Sequence, residues 1–163
     1  MIADNDDARA TRRSFLVGAV QLASGIGFVS FFPCNASHAS PDNLQAAIKK
    51  IVGAAPLRKG RVRLAIPPMV ENGNAVSLEV SVESPMTAND HVKAIHVLNE
   101  KNPLPNVLSV QLGPRAGKAT VATRIRLATT QQVMAIAEMS DGTFWSDAVD
   151  IFVALAACQE DPG

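Results

Sequence analysis

Two hydrophobic periods divide the chain. After Ser40-Pro41-Asp42, apolar residues return as Leu44, Ala47, Ile48 and Ile51, and Gly53 follows as a stop. That spacing predicts one short amphipathic helix. Ser40 is its N-cap candidate, Pro41 lies in the first turn, and Asp42 sits at the positive end of the dipole. Lys49 and Lys50 fall near the negative end, where cations are favourable. A helix of about three turns is marginal by itself, so it must dock on another element.

Beyond Pro56 the period changes to two. Val62, Leu64 and Ile66 alternate with Arg61, Arg63 and Ala65, and Val76, Leu78, Val80 and Val82 alternate with Ser77, Glu79 and Ser81. Glu71-Asn72-Gly73-Asn74 reads as the turn between these strands. Further strands are predicted over 91–98, 107–112, 119–127 and 132–139, with Asp141-Gly142 as a tight turn. A last strand runs through Val149, Ile151, Val153 and Leu155. About seven short strands without a helical crossover predict an all-β fold, an immunoglobulin-like antiparallel β-sandwich with one short N-terminal helix. A small barrel is the alternative. The Cys–Trp–Cys core of antibody domains is missing, and Trp145 reads as a core or edge plug.

Composition narrows the reading. Lys+Arg and Asp+Glu are 15 each in a chain of 163 residues, which argues against electrostatic capture of nucleic acid. Tyr is absent and Phe and Trp are few, so Val, Ile, Leu and Ala must fill the core.

The first 39 residues follow a different logic. Thr11-Arg12-Arg13-Ser14-Phe15-Leu16 is a twin-arginine signature, with Arg12 and Arg13 as the recognised pair, and a diluted apolar run follows to Phe32. Ser37-His38-Ala39 sets small residues where signal peptidase reads them, so cleavage after Ala39 and a periplasmic destination are expected. An uncleaved membrane anchor is the alternative, since the run just reaches spanning length. The resulting organisation is a signal peptide over 1–39, helix and linker over 40–56, a sandwich over 57–155 and a C-terminal arm over 156–163.

Candidate chemistry is sparse. His91 and His96 are separated by an odd number of positions and so face opposite sides of a strand, and no metal site is expected. The sequence carries no H-E-x-x-H, G-x-S-x-G, P-loop or dinucleotide fingerprint, so neither catalytic residues nor a cofactor are assigned. Cys34 lies within the signal, which leaves Cys158 as the one thiol of the processed chain. On an arm closed by Gln159-Glu160-Asp161-Pro162-Gly163 it reads either as a covalent handle or as a strand-end cysteine packed like a small hydrophobe. Glu160 and Asp161 act to raise its pKa and repel anions.

The segments Glu71-Asn72-Gly73-Asn74-Ala75-Val76, Val82-Glu83-Ser84-Pro85-Met86-Thr87, Ile95-His96-Val97 and Lys101-Asn102-Pro103-Leu104-Pro105 resemble the sulfur-carrier family SoxY of thiosulfate oxidation. So do Arg124-Ile125-Arg126-Leu127-Ala128 and the run from Ala137 to Trp145. The resemblance implies an immunoglobulin-like sandwich that forms a heterodimer with a SoxZ-like subunit. It also implies a carrier acted on by others rather than an enzyme, with Cys158 as the covalent attachment site. The partners it implies are a c-type cytochrome that conjugates thiosulfate, a thiohydrolase that releases sulfate, and a sulfur dehydrogenase. The family arm is Gly-Gly-Cys-Gly-Gly, whereas here Ala156-Ala157 precede the cysteine and an acidic pentapeptide follows it.

Overall fold

Alternation after Pro56 becomes alternating burial. In the computed structural model, which describes residues 41–155, strand β4 (Val76–Val82) buries Val76, Leu78, Val80 and Val82 and turns the intervening residues outward. It lies between β2 (Val62–Ala65) and β7 (Thr120–Ile125) in an antiparallel three-stranded sheet. The facing sheet is six-stranded. Its path is β1 (Leu57–Lys59), β9 (Phe144–Leu155), β8 (Gln131–Met139), β5 (Val92–Asn99) and β6 (Asn106–Gln111), and β3 (Met69–Asn72) also pairs with β9.

The architecture is a sandwich, not a barrel, and its core is mainly aliphatic. Val80, Ile95, Val97, Leu127, Val133 and Ala135 have no exposed surface. The six-stranded sheet is buried on both faces at its centre, because helix α1 (Pro41–Val52) covers its outer side. Leu44, Ala47, Ile48 and Ile51 pack there against Leu98, Ile136 and Phe144, which satisfies the docking that the isolated helix required. Gly53 ends the helix at φ 62, a left-handed conformation that glycine takes without strain.

Two strands go beyond the seven expected, giving nine among the described residues. Both are short and pair parallel with β9: Leu57 opposite Phe144, and Met69 opposite Phe152. Met69–Asn72 therefore takes half of the expected turn into β3, and the chain reverses only at Gly73-Asn74. The last strand also starts earlier than its alternation suggested, at Phe144. Asp141 fixes the hairpin before it by accepting from the Thr143 N–H at 2.9 Å and hydroxyl at 2.7 Å. These bonds lower the Asp141 pKa, and Gly142 supplies φ 77.

Trp145 packs against the core from within the sheet, with Arg58 of β1 on one side and Ala137 of β8 on the other. It is half-buried, donates its indole N–H to Thr143 Oγ1 at 3.1 Å, and carries the Arg58 and Arg61 guanidinium groups at 5.8 and 5.4 Å from its ring centre. Across the sandwich, Asp147 Oδ2 of β9 accepts the Leu64 N–H of β2 at 2.9 Å, closing that flank.

Candidate functional site at the root of the C-terminal arm

The described chain ends at Leu155, so Cys158 lies outside it, as do Arg12, Arg13 and Cys34. Covalent geometry still bounds where the thiol can go. It lies three positions beyond Leu155, a reach of about 11 Å at full extension. How Leu155 is held therefore decides where Cys158 can act.

β9 outruns its long neighbour. Its last pair with β8 is Ile151 opposite Gln131, and the final residues are held by other means. Phe152 donates its N–H to the Pro68 carbonyl at 2.8 Å, and Val153 donates to Thr130 Oγ1 at 3.0 Å. The Leu155 carbonyl accepts the Gly73 N–H at 2.8 Å, while Gly73's own carbonyl accepts the Leu127 N–H at 2.9 Å. Gly73 thus ties the strand end to the segment that leaves the three-stranded sheet. The arm springs from a pinned point.

The surroundings of that point are apolar and accessible. Met69 and Phe152 are opposite one another in the β3–β9 register and are 69% and 53% exposed, and Leu155 is 67% exposed. A depression of about 410 Å³ lies beside them, lined by Pro68, Thr130, Gln132, Asp150 and Phe152 among others, with Gln132 Nε2 donating to Asp150 Oδ1 at 3.0 Å. The sequence did not point to Thr130 or Gly73 as anchors. Phe152 carried a faint signal, an aromatic on the solvent side of the last alternating strand.

A larger cleft, about 690 Å³, lies elsewhere, between α1, the outer sheet face and the 103–106 loop. Lys50, His96, Gln111 and Glu138 line it together with Ile51, Pro103, Leu104 and Pro105. His96 Nδ1 pairs with Ser109 Oγ at 2.8 Å, and Ser109 in turn contacts the Asn106 side chain. Burial lowers the His96 pKa, and the nearby Glu138 carboxylate opposes that shift. Glu138 is itself paired with Lys93.

This cleft and the thiol do not share a site within one chain. Through β8, His96 is level with Ser146, far up β9 from Leu155 and about 30 Å away at 3.3 Å per residue. Nor are His96 and His91 brought together. His91 precedes β5, with Nδ1 at the Thr87 carbonyl (3.1 Å), and the β5–β8 register shifts between Val92 and Ala94. Among the described residues, no group of three or more His, Cys, Asp or Glu side chains converges as a metal site, and no helix is long and apolar enough to cross a membrane.

Comparisons with known proteins place this geometry. No curated protein matches the chain. The sulfur carrier protein SoxY from Chlorobium limicola f. thiosulfatophilum shares its fold, with TM-score 0.59 and 24% identity over 70% of this chain and 98% of that one. A superoxide reductase (neelaredoxin) from Ignicoccus hospitalis follows, with TM-score 0.52 and 19% identity over 72% of this chain and 95% of that one. One from Nanoarchaeum equitans has TM-score 0.50 and 11% identity over 59% and 100%. These likenesses describe the sandwich alone. The family "Sulfur oxidation protein SoxY" matches residues 48–158, a span that takes in the helix end, the whole sandwich and, as its last residue, Cys158. The chain belongs to the SoxY family.

Proposed function

We propose that the protein is a periplasmic carrier of sulfur intermediates, exported through Arg12-Arg13, which holds them on Cys158 while partner enzymes act. The observation that carries this reading is the pinned strand end: a rigid sandwich presents a short arm whose thiol lies within about 11 Å of an exposed apolar rim. A carrier needs that combination, a fixed body for recognition and a tether for delivery.

The chemistry balances on the thiol. A thiolate and thiosulfate join as R–S–S–SO₃⁻, and the electron pair released passes to the c-type cytochrome. Water then attacks the terminal sulfonate, giving sulfate, two protons and the persulfide R–S–S⁻. The dehydrogenase then takes six electrons from the sulfane atom and passes them to c-type cytochrome, while three waters supply the oxygens and six protons leave, giving R–S–SO₃⁻; a second hydrolysis returns the thiolate with sulfate and two protons. A SoxZ-like subunit completes the heterodimer in this reading.

The test is Cys158→Ser in cells that oxidise thiosulfate. Loss of thiosulfate-dependent respiration, with co-purification of the SoxZ-like subunit unchanged, is the expected result. Respiration unchanged by the substitution would mean that the protein serves as an assembly subunit without carrier duty.

A further inference from the structure

Glu71-Asn72-Gly73-Asn74 holds the chain's one Asn-Gly step, and carriage of sulfur leaves Asn72 without a task. At such a step the side-chain amide is open to attack by the backbone. Glycine has no Cβ, so its nitrogen can approach the preceding side-chain carbonyl carbon without a clash. Asn72 is exposed at the end of β3, whereas Gly73 is buried.

Two features of the fold act on that reaction with opposite sign. Asn72 Oδ1 accepts the Asn74 backbone N–H at 2.9 Å and a second bond from Asn74 Nδ2 at 2.9 Å. A backbone N–H can only donate, so the oxygen of the Asn72 amide, not its nitrogen, faces it. Both donors polarise the carbonyl and stabilise the oxyanion that forms when its carbon is attacked. The nucleophile, by contrast, is restrained. The Gly73 N–H is donated to the Leu155 carbonyl at 2.8 Å, and the Gly73 carbonyl accepts the Leu127 N–H at 2.9 Å. While the first bond lasts, the Gly73 nitrogen keeps its proton and its place beside the β3–β9 ladder, where Asn72 lies opposite Leu155.

We infer that Asn72 is a self-modification site, an activated amide that cyclises onto Gly73 when the root of the C-terminal arm opens. The Gly73 nitrogen gives its proton to hydroxide and bonds to Asn72 Cγ. The Cγ–Nδ2 bond breaks, and the departing nitrogen takes a proton from water, leaving as ammonia and returning the hydroxide. Water then opens the succinimide at either carbonyl, which leaves aspartate or isoaspartate at position 72. Isoaspartate routes the main chain through the former side chain and lengthens it by one methylene. Gly73 then cannot meet both Leu155 and Leu127, so the reaction removes the pin that restrained it. The inference rests on the pinned root and not on what Cys158 carries.

Asp141-Gly142 is the internal comparison. Asp141 Oδ1 is held by the Thr143 hydroxyl and N–H, which lower its pKa and keep the carboxylate ionised. An ionised carboxylate is a poor acyl acceptor, so Asp141 stays as it is.

The experiment incubates the full chain in mildly alkaline buffer, folded and in urea. Peptide mapping by mass spectrometry follows residue 72, and isoaspartyl methyltransferase counts isoaspartate. Asn72 should convert at least about tenfold more slowly in the folded chain than in urea. Leu155, 67% exposed, can be changed with little loss of packing. Leu155→Gly should speed conversion in the folded chain about two- to fivefold and raise Gly73 hydrogen exchange by the same factor. Asn74→Ala should lower the ratio of conversion to Gly73 exchange about two- to twelvefold. The isoaspartate form, separated by its added negative charge, should lose protection at Leu127 and keep it at Ile95 and Val97. Conversion as fast folded as unfolded, a rate indifferent to Leu155→Gly, or a ratio unmoved by Asn74→Ala overturns the assignment. So does an isoaspartate form that still protects Leu127, or conversion at Asp141 in step with Asn72, which marks global unfolding.

Discussion

Thr130→Val tests how the arm is anchored. The substitution keeps the size and β-branching of the side chain and removes the hydroxyl that accepts the Val153 N–H at 3.0 Å. Beyond Ile151, β9 has lost β8 on one side, where this bond holds it, while β3, the Pro68 carbonyl and Gly73 hold the other. Thr130 is exposed, so water can replace part of what is lost, and the local cost is about 0.5–1.5 kcal/mol. At 1.4 kcal/mol per tenfold, opening of the strand end becomes about two- to twelvefold more frequent. Hydrogen exchange reads this directly. Protection at Val153 should fall by that factor, while Ile95, Val97 and Ile136, with no exposed surface, should exchange as before. Each freed residue lengthens the tether by about 3.4 Å, so the open state carries Cys158 roughly 10 Å farther. Unchanged protection at Val153, or an equal loss in β5 and β8, would refute the pinned-root account.

Other consequences follow from the rest of the molecule. Because burial lowers the His96 pKa below its ordinary 6.5, the unfolded chain takes up the proton first as pH falls. His96 therefore costs no stability above pH 6.5 and subtracts progressively as pH drops from there through the folded value. Melting temperature against pH should show this slope, and His96→Gln should flatten it. Asn99 is fully buried, and neither polar atom of its side chain has a hydrogen-bond partner within the protein. Asn99→Val should raise unfolding free energy in urea by about 1–2 kcal/mol, whereas a loss of more than about 1 kcal/mol would show that the amide is bonded in solution.

Sequence pattern and structure agree where a short-range rule governs. Period two in Val76–Val82 and period 3.6 in Leu44–Ile51 each report one buried face, and each face is buried. Agreement fails where pairing is non-local. Nothing in Leu57–Lys59 or Met69–Asn72 shows that β9 will take them up in parallel, since a three- or four-residue strand has no measurable period. β5 misleads in a different way. With α1 on one side and the second sheet on the other, it buries Ala94, Ile95, Val97, Leu98 and Asn99, and alternation disappears. The candidate site divides along the same line. Cys158 is only a sequence-based candidate, and it lies outside the described residues. The root that positions it depends on Thr130, Pro68 and Gly73, which only the folded chain gathers.

The central claim is that Cys158 carries sulfur. Mass spectrometry of the C-terminal peptide, from protein isolated without reductant out of cells oxidising thiosulfate, tests it most directly. The account predicts a mass increase of one S₂O₃ unit, or of one added sulfur after sulfate release, located on Cys158 and removed by reductant. A C-terminal peptide recovered only as the free thiol under those conditions would contradict it.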